Sequence, residues 1–305
     1  MSVQTSILMV TLPPGGLWPH GYTVHKGHTP ESLNYATVAA ATSGIIPSPE
    51  LLSLQWNQAI DHLTNAKIEI TFLPYPQELI SQYPPDYDGI FIRDVGMFAN
   101  GTWIKANFSV PERQRESDAF ARMIENKFYV EIKELPPGAY LECGEVFFIE
   151  TPSGSYYFGG LGRSNLAGHD AMIKIIQPDH VFLLETTGFH LDTTCAPLID
   201  QFGNLSAFMY APALFSQKSI ELLSTLGVPL ITLSPEDTCG MGENLGSMAV
   251  NGLSLPGIFI NAEKFQTPGV EAHISSFGIA RSTSPLPYFH HAGGSYHCLT
   301  NEVRL

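Results

Sequence analysis

Apolar and polar positions follow two rhythms along this chain. Ser48-Pro49-Glu50 supplies an N-cap residue followed by proline in the first turn, and Leu52, Trp56, Ala59 and Leu63 then recur at helical spacing. Lys67 to Leu73 reads as a strand. From there a unit repeats in kind, although not in residue identity. An apolar strand opens each copy, at Ile92, Leu141, Ala196 and Ser247, at intervals of 49, 55 and 51 residues. A turn pair follows in each copy, as in a hairpin: Asn100-Gly101, Ser153-Gly154, Gly203-Asn204 and Asn251-Gly252. Helical stretches then open near Pro111, Asn165, Pro212 and Pro268. In at least three copies an apolar strand closes the unit, at Phe128 to Ile132, His180 to Glu185 and Pro229 to Leu233.

A period of about fifty residues carrying hairpin, helix and strand predicts a circular array of supersecondary units that is stable only when neighbours close the core. The N-terminal segment supplies the remaining unit, for about five in all. The expected architecture is a single α/β domain over residues 1–305. A doubly wound sheet is the alternative, but it has one strand per helix, and the hairpin signals count against it. In a ring of such units the strand ends converge on the axis, so corresponding positions of different modules meet in one central pocket.

Composition narrows the function. With 44% hydrophobic and 14% charged residues the chain has ample side chain for a core. A formal net charge of -14 argues against a nucleic-acid partner, which needs Lys and Arg on phosphates. Such a surface serves solubility and is also compatible with a small cationic ligand. Cys143, Cys195, Cys239 and Cys298 are widely spaced with no CxxC pair, so neither a disulfide framework nor a zinc knuckle is expected. The run Ile7 to Leu12 is too short for a signal sequence, and no apolar run is long enough to span a bilayer. The expectation is a cytoplasmic protein with reduced thiols and no membrane partner.

Polar residues interrupt the apolar strands at three recurring places: Arg93-Asp94 in IFIRDVGMF, Glu142 and Glu145 in LECGEVFF, and His190 with Asp192 in GFHLDTTC. A fourth polar cluster, GGSYHCLTNEV, ends the chain and contains Cys298. The ordered set RD, LECGE, GLGRSN, FHLDT and GGSYHCLT resembles the guanidino-group-modifying enzymes of the pentein superfamily, which includes dimethylarginine dimethylaminohydrolase, arginine deiminase and the amidinotransferases. The likeness runs from about Asp88 to Val303. It implies a five-module α/β propeller, in agreement with the module count.

The resemblance further implies that Cys298 is the nucleophile, His190 the general acid and base, and Glu142 the carboxylate orienting His190 or the guanidinium. Asp94 and Asp192 would hold the guanidinium nitrogens, and Arg163 a substrate α-carboxylate, for which its planar fork is suited. A delocalised guanidinium has a poorly electrophilic carbon until carboxylates hold its nitrogens and one amine is protonated as it leaves. A thiolate suits the attack, and with a reference pKa of about 8.5 the thiol needs help to ionise.

Each residue also has a bland reading. An isolated cysteine near a terminus is usually a small buried hydrophobe, a lone histidine a satisfied core residue, and a buried carboxylate an ion-pair or capping group. Asn165 caps a helix as readily as it touches ligand. Cys143, Cys195 and Cys239 read as structural. His290, His291 and His297 fit no standard metal spacing, so neither a metal nor a cofactor is expected. Arg93, where animal-type dimethylarginine hydrolases have an acidic residue, and Asp192, where they have lysine, both resemble the arginine deiminase side. Asn107 stands where the animal-type enzyme carries a second carboxylate-binding arginine. The N-terminal segment, with Gly15-Gly16 and Asn34-Tyr35, is expected to form a lid.

The expected function is hydrolysis of arginine or a methylated arginine, giving citrulline plus ammonia or dimethylamine. Alternatives are an amidinotransferase, an arginine dihydrolase, a metallohydrolase using the C-terminal histidines, and a non-catalytic propeller used for binding. The sequence does not fix the oligomeric state.

Overall fold

A computed structural model describes residues 6–25 and 33–304. The first unit comprises β1 (Ser6–Val10), α1 (Tyr35–Thr42), α2 (Pro49–Asn65), β2 (Glu69–Leu73) and α3 (Gln77–Ser81). Next come β3 (Gly96–Ala99), β4 (Thr102–Lys105), α4 (Pro111–Phe128) and β5 (Glu131–Lys133). The third unit is β6 (Val146–Thr151), β7 (Gly154–Gly160), α5 (Leu166–Ile176) and β8 (His180–Leu184). The fourth is β9 (Cys195–Ile199), β10 (Leu205–Tyr210), α6 (Gln217–Leu223) and β11 (Leu230–Thr232). After a short hairpin of β12 (Gly240–Met241) and β13 (Asn244–Leu245), the fifth is β14 (Leu253–Leu255), β15 (Ile258–Asn261), α7 (Val270–Ser276) and β16 (Ala280–Thr283). The chain ends through α8 (Pro287–His291) and β17 (Asn301–Glu302).

Each unit holds one three-stranded sheet, and these five are built alike: the middle strand is antiparallel to the first and parallel to the third. In the N-terminal unit the first strand is β17, brought from the far end of the chain against β1. The ring is therefore closed by pairing the two ends, which periodicity along the chain does not reveal. Asn301 locks the junction, its Nδ2 donating to Ile92 O at 3.2 Å and to Gly96 O at 2.7 Å. Asn301→Ala would orphan two buried carbonyls, so a loss of about 2–3 kcal/mol is expected in urea unfolding. An unchanged midpoint would remove Asn301 from this role.

Local chemistry accounts for the helices. Ser48 caps α2, its hydroxyl accepting from Leu51 N, and the predicted stripe of Leu52, Trp56, Ala59 and Leu63 is the buried face. The α4 helix begins with Pro111 and stops at Tyr129, whose φ of 55° is left-handed. Phe128 thus belongs to the helix, and the closing strand starts at Glu131. Phe158 stacks on Phe182 of its own sheet and on Phe208 of the next, with centroids 5.1 and 4.7 Å away. Among the described residues no helix is long and apolar enough to cross a membrane.

Three expected strand starts move. Ile92 lies in a turn ahead of β3, Leu141 makes only an isolated bridge to Asn107, and Ser247 precedes β14 by six residues. The apolar residues there are buried, so they read as strand, but the backbone coils before each sheet. The fourth expected turn, Asn251-Gly252, is likewise displaced: the β14–β15 hairpin turns at Pro256-Gly257, with Gly257 at φ 76°. Near Pro212 a short 3-10 turn precedes α6.

Candidate active site

These coiled segments carry the polar side chains. Asp94 stands just before β3, Glu142 before β6, His190 and Asp192 before β9, Asn251 before β14 and Cys298 before β17. Every unit thus contributes at the same structural place, and all six side chains are buried. Asp94, His190, Arg163 and Cys298 line one pocket together with His25, Asp88 and Arg113. Thr23, Leu33, Asn34 and Gly293 line its remaining sides, so the N-terminal segment expected as a lid borders the pocket.

The contacts form two halves. In one, His190 Nε2 donates to Glu142 Oε2 at 2.8 Å, and His190 Nδ1 lies 3.5 Å from Asp94 Oδ1. In the other, the Cys298 thiol lies 3.3 Å from Asp192 Oδ2, which also accepts from His297 Nδ1 at 2.7 Å. Asn251 Nδ2 reaches Cys298 Sγ at 3.2 Å. Asp94 Oδ1, Glu142 Oε1 and Asp192 Oδ1 have no hydrogen-bond partner. Three buried carboxylates, each with an unused oxygen, are costly unless a multi-donor cation completes them.

Two arginines stand beside them. Arg113 chelates Glu116 at 2.7 and 2.8 Å and reaches Asp94 Oδ2 at 3.1 Å, while Arg163 lies 3.7 Å from Glu142 Oε2 with its guanidinium over the Phe189 ring. Sequence reasoning missed Arg113. Its signal was a basic residue on the buried side of α4, three residues before Glu116. Asn107, the position associated with a second arginine, instead donates from Nδ2 to Ala139 O, outside the pocket. Arg93 also turns away, with Nε donating to His297 O at 3.3 Å and Nη1 to Glu302 at 2.7 Å. It fastens the cysteine-bearing segment. Asn165 caps α5, and Glu145 accepts from Arg163 N and Leu191 N, holding two site loops. Burial pushes Glu145 up to about 7.

No family profile and no curated protein sequence matches the chain. Solved structures are. The N-terminal domain of ArgZ bound to product, an arginine dihydrolase from the ornithine-ammonia cycle in cyanobacteria, superposes with a TM-score of 0.77 at 21% identity, over 99% of this chain and 98% of that one. DDAH from Pseudomonas aeruginosa, a cysteine-to-serine mutant complexed with citrulline, superposes with a TM-score of 0.69 at 16% identity, over 98% of both chains. AgrE, in its ternary complex with ornithine and NAD+, gives 0.76 at 20% identity, over 98% of this chain and 39% of the longer one. The chain has the pentein fold. Its five three-stranded sheets are the five modules expected from the repeat.

Within this pentein core the backbone crowds the histidine. A Cβ at Gly144 would lie 2.5 Å from His190 Nδ1 and 2.8 Å from Asp94 Oδ1, so only glycine lets LECGE pass beneath the pair. The C-terminal histidines separate: His297 binds Asp192, while His290 and His291 line a neighbouring cleft. Among the described residues no group of three His, Cys, Asp or Glu could hold a metal ion.

The charges predict a pH dependence. Burial alone would lower His190, but Asp94 and Glu142 outweigh it and raise His190 above its ordinary value. Burial alone would raise Glu142, yet the His190 hydrogen bond and the Arg163 guanidinium hold it well below the carboxylate range. A histidine raised on folding stabilises fully below its unfolded pKa of about 6.5, and that contribution is lost as pH rises through the folded value. Melting temperature is therefore expected to fall over that window in wild type. In Glu142→Gln the fall should shift to lower pH; identical profiles would count against the pairing.

Proposed function

We propose that the protein is a hydrolase of the guanidine carbon of arginine or a methylated arginine, releasing citrulline with ammonia or dimethylamine. The observation that carries this reading is the set of unpartnered carboxylate oxygens on Asp94, Asp192 and Glu142: Asp94 lines the pocket with Cys298 and His190, Glu142 is hydrogen-bonded to His190 and Asp192 to Cys298. A planar cation with five N–H donors satisfies such a set, and an acyl group or a phosphate does not. Binding of the cation offsets the carboxylates beside Cys298, and the thiol releases its proton to solvent. The thiolate attacks the guanidine carbon. His190, held protonated by Asp94 and Glu142, gives its proton to the leaving amine, and the neutral imidazole then takes a proton from water, which attacks the S-alkylthiouronium. Collapse releases the ureido product and restores the thiolate.

Arg163 suits an α-carboxylate, since Arg113 is already taken up by Glu116 and Asp94, and Asp88 on the pocket wall suits an α-ammonium. Residues 1–305 act as one catalytic unit in this reading, in a reducing compartment such as the cytoplasm, where the free cysteines persist. Hydrolysis of arginine by two waters to ornithine, with the guanidine carbon leaving as carbon dioxide and the other two nitrogens as ammonia, is the second reading, favoured by the likeness to an arginine dihydrolase. A product assay on arginine, dimethylarginine and agmatine, with and without a strong chelator, separates the cases. Citrulline from arginine supports the first reading and ornithine the second. Activity on none of the three, or only without chelator, overturns both.

A further inference from the structure

Four of the five units contribute a charged or nucleophilic side chain at the coil before their first strand. The fifth contributes Asn251. Its surroundings are saturated. Nδ2 donates one hydrogen to Asp192 O at 3.0 Å and the other to Cys298 Sγ at 3.2 Å, while Oδ1 accepts from Ser295 N at 3.1 Å and Cys298 N at 3.4 Å. Flipping the amide would set Nδ2 against two N–H donors and Oδ1 against a carbonyl, so the network itself fixes the orientation. Asn251 is fully buried, and beside the three bonds that tie down the backbone of Asp192, Ser295 and Cys298 its amide spends one hydrogen on the thiol sulfur.

We propose that Asn251 is a catalytic residue whose side-chain N–H donates to the sulfur of Cys298 and holds the thiolate in the buried pocket. The inference rests on the reading of Cys298 as nucleophile. The physical need is plain. Cys298 is buried, and the charges acting on it, Asp192 and Asp94, are both negative. Burial first, and those carboxylates second, push the thiol up. His190 is turned to Glu142 and Asp94, and His297 to Asp192, so neither imidazole donates to the sulfur. Arg93 meets the backbone carbonyls of His297 and Cys298 and not the thiol. The Ser295 N–H offsets part of the repulsion, and the amide of Asn251 is the side-chain donor that adds to it without a charge that would repel a guanidinium. A lysine or arginine at this place would stabilise the thiolate and exclude the cationic substrate.

The step itself is a simple ionisation. The S–H bond breaks, its electron pair stays on sulfur, the proton goes to solvent, and the Asn251 N–H shortens its approach to the new anion. A hydrogen bond to a charged partner is worth roughly a tenfold change in equilibrium or more.

The test is the pH dependence of Cys298 alkylation by neutral iodoacetamide, read peptide by peptide by mass spectrometry, in wild type, Asn251→Ala and Asn251→Asp. The aspartate keeps an acceptor for Ser295 N and Cys298 N and removes the amide donor. Expected is alkylation on the order of tenfold slower at neutral pH in both variants, with the profile displaced to higher pH, and a fall in kcat larger than any rise in KM. Wild-type profiles in both variants, or an effect confined to KM, would overturn the proposal. If the variants do not fold, the Asn251 side-chain amide resonances are followed through the pH titration of wild type and Cys298→Ala. A shift present in wild type and absent in Cys298→Ala supports the donor role; equal behaviour overturns it. Alkylation needs no guanidino substrate, so a failed product assay and a failed Asn251 prediction are separate results.

Discussion

Cys298→Ala is expected to lower turnover of a guanidino substrate by at least about 10⁴-fold with the fold intact, because no other group in the pocket can form the covalent intermediate. The remaining thiols are unsuited. Cys143 and Cys195 are buried, burial pushes both thiols up, and neither lines the pocket. Cys239 lies in the neighbouring cleft. Removing one sulfur from a close-packed site costs little stability, on the order of 1 kcal/mol, so circular dichroism and melting should stay near wild type while product formation disappears. Quenched wild-type turnover should carry an adduct on the Cys298 peptide. Residual activity in the alanine variant comparable with wild type, or an adduct on another cysteine, would sink the assignment.

The second large effect is expected from Asp192→Asn. Asp192 Oδ2 accepts from both the His297 ring and the Cys298 thiol, and Oδ1 is left for a ligand. Burial would raise this carboxyl, but the His297 hydrogen bond keeps it below its ordinary value, so it is ionised at neutral pH. The asparagine has the same shape without the charge. Its amide also brings an N–H2 group against either the His297 donor or the incoming guanidinium. Truncating one partner of a buried charge pair typically costs 2–5 kcal/mol, so kcat/KM for arginine should fall by roughly 10²–10⁴-fold. Citrulline, which is neutral, should lose far less affinity. A change under about tenfold would reduce Asp192 to a structural partner of His297.

The site was unevenly legible in the sequence. Asp94, Glu142, His190 and Asp192 announced themselves because a charged residue inside an apolar run is costly and demands a reason. Asn251 did not. Followed by glycine, it has the composition of a hairpin turn, and an uncharged amide in that setting raises no alarm. Arg113 hid for a different reason: in the charged stretch PERQRES one arginine cannot be told from its neighbours until the helix is rotated against the sheet. Arg93 erred the other way, since its place beside Asp94 suggested the pocket while its side chain ties down the chain end.

By itself the sequence determined the module and its count and pointed to the polar residues of the candidate site, because hairpin turns, helix caps and charges inside apolar runs are local facts written in residue type and spacing. Only the tertiary structure decided the closure of the ring by β17 against β1, the coils that displace the expected strand starts, and which side chains share the central pocket. Those depend on contacts between residues far apart in the chain, 209 positions for Arg93 and Glu302 and more for the pairing of Ile7 with Glu302. A chain's local pattern carries no record of such distances.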